Sequence, residues 1–198
     1  MSVRKGDFNT LTIVMIPVAI AINIAIGQLV VVLGLPVYLD SIGTVLVGAL
    51  AGPWVGALTG LLSNLIWGMS GLNVTYAPFA AVAAIIGMMA GLFSETGWFK
   101  TWWKVVLAGL STGIVAAAIS APIAYYVWGG VTGAPGTDFI VLFFQGIGYD
   151  PLQSTFMQGF FSDPVDKIAT FLVVWAIILA LPKRFLARFS RAESVRSE

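Results

Sequence analysis

Ser162-Asp163-Pro164-Val165-Asp166-Lys167 opens the last long apolar segment, which runs through Ile168 to Leu181 with Thr170 as its one hydroxyl and closes on Pro182-Lys183-Arg184. A proline at the first helical position suits a helix start at Pro164, and a basic pair after Leu181 suits a helix end at a membrane surface. Counted from Pro164, the segment has about the 20 residues that a bilayer crossing needs. Asp163, Asp166 and Lys167 then fall within about one turn of an apolar span. That is costly unless they face a cavity, water or one another. They are read here as the mouth of a ligand pocket.

The rest of the composition agrees with a membrane setting. Of 198 residues, 59% are hydrophobic and 10% charged, where a soluble domain carries about 25% charged; the mean hydropathy is +0.95. The expected class is an all-α, polytopic integral membrane protein with one membrane domain. A formal net charge of +1 argues against a nucleic-acid surface. With no Cys there is neither a disulfide framework nor thiolate chemistry, and with no His the commonest general base and metal ligand is missing. No metal, cofactor or catalytic residue is expected, and the chain is not read as an enzyme.

Six spans are expected in one bundle. Residues 1–10 form a polar N-terminus with Arg4 and Lys5, and residues 11–182 the membrane domain. Leu11 to Leu33 is too long for a signal peptide and is the first span. A turn at Pro36-Val37-Tyr38-Leu39-Asp40 precedes a second span that is apolar over Ile42 to Leu50 and is expected to begin near Val37. Pro53 starts the third, which ends near Trp67-Gly68; Pro78 to Phe93 is the fourth; Val105 to Trp128 is the fifth, bent or interrupted at Pro122. Residues 129–162 form a long Gly-rich connection with an apolar patch, Phe139 to Phe144, too short to span and suited to a re-entrant or interfacial helix. Residues 183–198 are a basic tail.

Charge sorting checks the count. With six spans, Arg4, Lys5, Lys100, Lys104, Lys183, Arg184, Arg188, Arg191 and Arg196 fall on one side and Lys167 alone on the other, so both termini are expected to be cytoplasmic. Trp54, Trp98, Trp102 and Trp103 fall at the inner interface, Trp67 and Trp128 at the outer one, as an aromatic belt would.

Two constellations stand out. Small residues recur four apart: Ala21 and Ala25; Gly48, Gly52, Gly56 and Gly60; Gly109, Gly113, Ala117 and Ala121. Such ladders let helices approach closely in lipid, either within the chain or against a partner subunit. A partner surface is most attractive for Ala21 and Ala25. The second is a set of polar residues at outer helix ends: Tyr38, Asp40, Thr44, Asn64, Trp67, Asn73, Tyr76, Gln158, Asp163, Asp166 and Lys167. A pocket of apolar and aromatic walls with a few polar anchors is what a small-molecule site needs. Plainer readings stand beside it: an i,i+4 pair between Asp163 and Lys167, helix capping by Asp40 or Ser41, interhelical bonding by Asn64. No P-loop motif appears and no proton relay is visible in the cores of the second to fifth spans. A pocket without an energy source suggests a binding subunit driven by another protein.

On Tyr38-Leu39-Asp40-Ser41-Ile42-Gly43-Thr44, Gly52-Pro53-Trp54-Val55-Gly56-Ala57 leading to Asn64, Gly129-Gly130-Val131-Thr132-Gly133, and Asp166-Lys167-Ile168 with Leu181-Pro182-Lys183, the chain resembles the substrate-binding S components of energy-coupling factor (ECF) transporters. Together these stretches cover nearly the whole chain. The resemblance implies a multi-pass protein of a prokaryotic plasma membrane that takes a vitamin-type molecule at an outward pocket. It would join a transmembrane coupling protein and two ATPases, and topple in the membrane to deliver its ligand. The family's docking motif, alanines four apart on the first helix, matches Ala21 and Ala25. The resemblance is to the riboflavin-type group in particular and so implies riboflavin as the leading ligand, with Tyr38, Trp67, Tyr76, Trp128, Tyr149 and Phe160 as rings able to stack on a flat heterocycle; a pyrimidine, a pterin or a corrinoid remain open. The rival classes are a self-sufficient facilitator and a membrane sensor or assembly module.

Overall fold

The structure, a computed structural model, describes residues 7–189 and 191–195, all of them in helices, turns and connections with no strand among them. Among the described residues nine α-helices follow one another: α1 Thr10–Leu33, α2 Ile42–Ala51, α3 Pro53–Met69, α4 Ala80–Glu95, α5 Trp102–Trp128, α6 Pro135–Gly146, α7 Pro151–Ala180, and the short α8 Lys183–Leu186 and α9 Ala192–Val195. A 3₁₀ segment, Val74–Phe79, leads into α4. Three stretches are long and apolar enough to cross a membrane: Thr10–Leu33, Val74–Glu95 and Trp102–Trp128. α7 is longer than any of these, but Asp163, Asp166 and Lys167 interrupt its apolar run. Arg4, Lys5 and Arg196 of the charge sorting lie outside the described residues.

α1 shows how the helices are oriented. Its side chain-capped start, where Asn9 Oδ1 accepts from Thr12 N at 2.9 Å, is followed by a buried stripe of Thr12, Ile16, Ala19, Ile20, Asn23, Gly27 and Val30. Val14, Val18, Ala21, Ala25 and Val32 lie on the opposite, exposed face. An apolar exterior of this kind is what lipid-facing helices present. Asn23 is the one strongly polar side chain on the inner face. Its amide donates to Thr44 Oγ1 (2.8 Å) and Ser63 Oγ (3.2 Å), and its carbonyl accepts from Gly43 N (2.7 Å), which pins α1 to α2 and α3 at once.

α2 is a central post: every residue but Leu46 is buried. It begins at Ile42, not near Val37. Pro36 and the left-handed Leu39 (φ 49°) keep the preceding stretch out of a right-handed helix, and the Tyr38 and Leu39 N–H groups are engaged elsewhere. Gly52 turns α2 into α3 at φ 103°, ψ 172°, a conformation open in practice only to glycine, and Pro53 takes the first helical position.

The small-residue ladders settle as packing within the chain. A Cβ on Gly56 or on Gly87 would overlap the other's backbone carbonyl group, and one on Gly60 would strike Ala83. Likewise Gly109 and Gly113 admit the backbone of α7 at Lys167–Ile168 and Asp163–Pro164. Thus α3 packs on α4, and α5 on α7, with backbones in near contact. Only Ala21 and Ala25 face outward.

The connection at 129–162 is largely helical. The apolar patch Phe139 to Phe144 lies inside α6, and α7 begins at Pro151, thirteen residues before Pro164. Asp150 caps it, accepting from Gln153 N at 2.9 Å. Pro164 therefore sits inside a helix, where its ring packs by Gly113 and its missing N–H costs one ladder bond. α5 likewise runs unbroken through Pro122. Trp67, expected in an outer aromatic belt, is fully buried.

Opposite the polar end of α7, the tail folds back on the bundle. Arg191, 3% exposed, pairs with Asp7 (3.2 Å) and Glu95 (2.7 Å), and Asn9 Nδ2 donates to the Arg188 carbonyl at 3.2 Å. Lys100 and Lys104 border the same end, next to Glu95 and Ser194.

The Gly56–Gly87 crossing carries a prediction. Gly87→Leu should destabilise the protein by about 1–3 kcal/mol, the usual cost of overpacking, and lower the thermal midpoint in detergent. Gly146→Ala, surrounded by open space, should leave that midpoint unchanged.

Candidate functional site

At the end of the bundle away from Arg191, the α1–α2 connection, α3, the 3₁₀ segment, α4, α5 and α7 enclose a cavity. Its volume, measured as the space open to the centre of a water molecule, is about 90 Å³, several times the ~10–15 Å³ that one water needs. Val82, Ala83, Ile86, Ala116, Ala121 and Ala124 supply apolar wall, and Tyr76 and Phe79 the aromatic part. The polar lining comes from Tyr38, Asp40, Ser41, Asn64, Thr75, Ser120, Thr132, Gln158, Asp163 and Lys167.

α7 supplies most of the charge. Counted from Pro151, its buried face carries Ser154, Thr155, Gln158, Ser162, Asp163, Asp166, Lys167 and Thr170. These recur at three- and four-residue steps, so a single inward stripe is polar along the first turns and apolar beyond Thr170.

Asp166, 0% exposed, anchors the rest. Its Oδ1 accepts from the backbone N–H of Tyr38 (3.0 Å) and of Leu39 (2.6 Å), and its Oδ2 pairs with Lys167. The Lys167 ammonium also donates to Ser41 Oγ at 2.9 Å and stands 3.6 Å from Asp40 Oδ1. It lies 6.0 Å from the centre of the Tyr38 ring. Tyr38 in turn accepts at its hydroxyl from Gln158 Nε2 (3.1 Å). The connection between α1 and α2 is thus bound to α7 through backbone, ion pair and ring contact together. Asp163 has a different setting: its Oδ2 accepts from Ser120 Oγ at 3.3 Å, and no lysine or arginine among the described residues comes within ion-pair distance. The i,i+4 pairing of Asp163 with Lys167 is not formed, because the ammonium turns to Asp166 and Asp40.

The other walls are fixed locally. Asn73 caps the 3₁₀ segment, its Oδ1 accepting from Thr75 N at 3.2 Å and from the Thr75 hydroxyl. Tyr76 stacks on Trp67 with ring centres 3.5 Å apart and planes at 14°. Asp138 closes the loop before α6 by accepting from Thr132 N (2.8 Å) and Gly133 N (2.7 Å), which holds Thr132 on the cavity. Gly136 lies so close to the Leu35 carbonyl that no Cβ would fit there, so the start of α6 is seated on the end of α1.

Of the residues singled out in the sequence, Tyr38, Asp40, Asn64, Tyr76, Gln158, Asp163 and Lys167 line the cavity. Thr44, Trp67, Asn73 and Asp166 do not. Thr44 serves Asn23, Trp67 backs Tyr76, Asn73 caps, and Asp166 is consumed in holding the wall. Neither Asp40 nor Ser41 makes a side-chain cap on α2; Ser41 occupies the cap position but accepts from Lys167 instead. Trp128, Tyr149 and Phe160 stand off the cavity. Thr75, Ser120 and Thr132 also line the cavity, as does Ser41, which the sequence offers only as a helix cap; lone hydroxyl residues carry no binding signal until the fold brings them together. Among the described residues no group of three Asp or Glu side chains is placed to hold a metal ion.

No protein-family model, curated protein or solved structure matches the chain. The geometry itself is that of a partly open, mostly apolar cavity with convergent polar groups, the form of a small-molecule site.

The anchor makes a testable case. Asp166→Ala should cost about 3–5 kcal/mol of stability, since it removes the nearest partner of a buried ammonium and the acceptor of two backbone N–H groups. Asp166→Ala combined with Lys167→Met should cost less than the single change. Thermal unfolding of the three proteins in detergent checks the order.

Proposed function

We propose that the chain is the membrane-embedded, substrate-binding subunit of an ECF-type importer, and that its cavity captures a vitamin-type small molecule from outside the cell. In this reading α1, α2, α3, α4 with its 3₁₀ lead, α5 and α7 are six spans of one bundle in a prokaryotic cell membrane. The end bearing Lys100, Lys104, Lys183, Arg184, Arg188 and Arg191 is cytoplasmic, with both termini, and the cavity opens outward. α2 is only ten residues long, about 15 Å of helix. It can still serve as a span because it is enclosed by protein, which tolerates the non-helical backbone of residues 35–41 at membrane depth.

The observation that carries the reading is the cavity itself. Segments spread from residue 38 to residue 167 converge on one pocket at the end away from Arg191. The chain has no P-loop of its own, so uptake would draw on a transmembrane coupling subunit and two ATPases. Ala21 and Ala25 fit the coupling subunit's docking face: they lie on one exposed side of α1, flanked by Val14, Val18 and Val32, and small side chains permit close helix approach.

Mass spectrometry of small molecules released from the purified protein tests the binding role: a stoichiometric organic solute is expected, and a preparation with none, unable to take up any vitamin offered, would remove it. Ala21→Trp and Ala25→Trp should abolish co-purification with co-expressed coupling protein and ATPases while leaving ligand content unchanged. Normal co-purification of both variants would place the interface elsewhere.

A further inference from the structure

We infer that the ligand of this cavity is a small, flat organic cation bearing N–H donors, with the Asp163 carboxylate as its counter-ion and the Asn64 amide as a second contact. The inference rests on the reading of the cavity as a binding site and adds the chemical class of what it takes.

Charge around the cavity is unequal. Asp40, Asp163 and Asp166 supply three carboxylates and Lys167 one ammonium. Lys167 is committed to Asp166 and Asp40, and Asp166 has its remaining oxygen filled by two backbone N–H groups. Asp163 is left over. It is 4% exposed, lines the cavity, and receives one hydrogen bond, from the neutral hydroxyl of Ser120. A buried carboxylate without a cation is among the costliest groups a protein interior can hold. A cationic ligand would supply the missing charge, a neutral one would leave it uncompensated, and an anion would add repulsion.

A second observation points the same way. Asn64 is 5% exposed, lines the same cavity, and its side-chain amide has no hydrogen-bond partner among the described residues. A polar group so buried is ordinarily paired, and here the space it meets is the cavity. Gln158 uses its amide nitrogen on Tyr38, which leaves its carbonyl oxygen as a further acceptor at the wall. The Asp163 carboxylate and the Gln158 amide oxygen call for N–H donors, and the Asn64 amide, which carries both an oxygen and N–H groups, can pair with the same ligand. An amidinium or a ring-bound ammonium presents such donors in a plane, a geometry that suits a carboxylate. Tyr76, stiffened by its stack on Trp67, and Phe79 supply aromatic wall for the ring and attraction for its charge. On these grounds an uncharged flavin ranks below an amine-bearing heterocycle.

The test uses three probes with one ring and nearly one size: benzamidinium, benzamide and benzoate, titrated calorimetrically into the full chain in detergent, stripped of any co-purified solute. Benzamidinium should bind at least tenfold more tightly than benzamide, and benzoate not at all. Asp163→Asn should erase the preference for the cation, and Asn64→Ala should weaken benzamidinium binding several-fold. Asp150→Asn, which keeps the α7 cap outside the cavity, should change neither. The inference is overturned if benzamide or benzoate binds as well as benzamidinium, if the preference survives in Asp163→Asn, or if benzamidinium fails to bind. Should Asp163→Asn not fold, the wild-type series and Asn64→Ala decide alone. A preference for benzoate or benzamide would leave a binding protein with a different ligand class. No binding of any probe, by a protein that also carries no solute when purified, would remove the binding role as well.

Discussion

One buried carboxylate holds the cavity together. Asp166 takes two backbone N–H groups from the α1–α2 connection on one oxygen and the Lys167 ammonium on the other. Neither partner could be left alone there: unpaired backbone donors and an unpaired ammonium are both expensive away from water. Because Asp166 accepts from both, a stretch with a left-handed Leu39 becomes a fixed wall. Tyr38, Asp40 and Ser41 reach the cavity from that wall, so part of the polar lining depends on a residue that does not itself touch the space.

The rest of the bundle is built to let such an arrangement sit inside an apolar body. Glycines at the α3–α4 and α5–α7 crossings bring backbones into near contact, so these pairs are held by dispersion and shape where water gives no hydrophobic drive between helices. Asn23 adds a polar pin among α1, α2 and α3. The tight half of the structure is the pair α3–α4 and the pair α5–α7; the cavity opens where these pairs diverge from the α1–α2 connection. A close-packed frame thus surrounds a small, mostly apolar pocket whose few polar groups are held in place by the fold.

Much of the frame was legible in the residues. Runs such as Leu11 to Leu33 and Val105 to Trp128 can only be helices if they enter lipid, since an isolated strand would leave its backbone unpaired. The clustering of Asp163, Asp166 and Lys167 marked the charged stretch of α7 that borders the cavity. What misled was Pro164: a proline ahead of an apolar run reads as a helix start, yet Asp150 and Pro151 offer a better-capped one, and the intervening Ser154, Thr155, Gln158 and Ser162 already keep helical spacing. The division of labour among the acids was not legible. Asp163 and Asp166 look alike in sequence, but three residues along a helix turn a side chain by about 60° from full register. That rotation sends one to the cavity and the other to the backbone of residues 38 and 39.

Sequence alone thus determined the all-helical, lipid-compatible character of the protein and the neighbourhood of its polar site, because burial of backbone and of apolar surface are properties of each segment by itself. Only the tertiary structure decided which polar residues meet, that the glycine ladders face inward while Ala21 and Ala25 face out, and that Asp166 holds the wall while Asp163 has no ion-pair partner among the described residues. Those are relations between segments up to 128 residues apart, set by which backbones can approach and which charges find partners when they do.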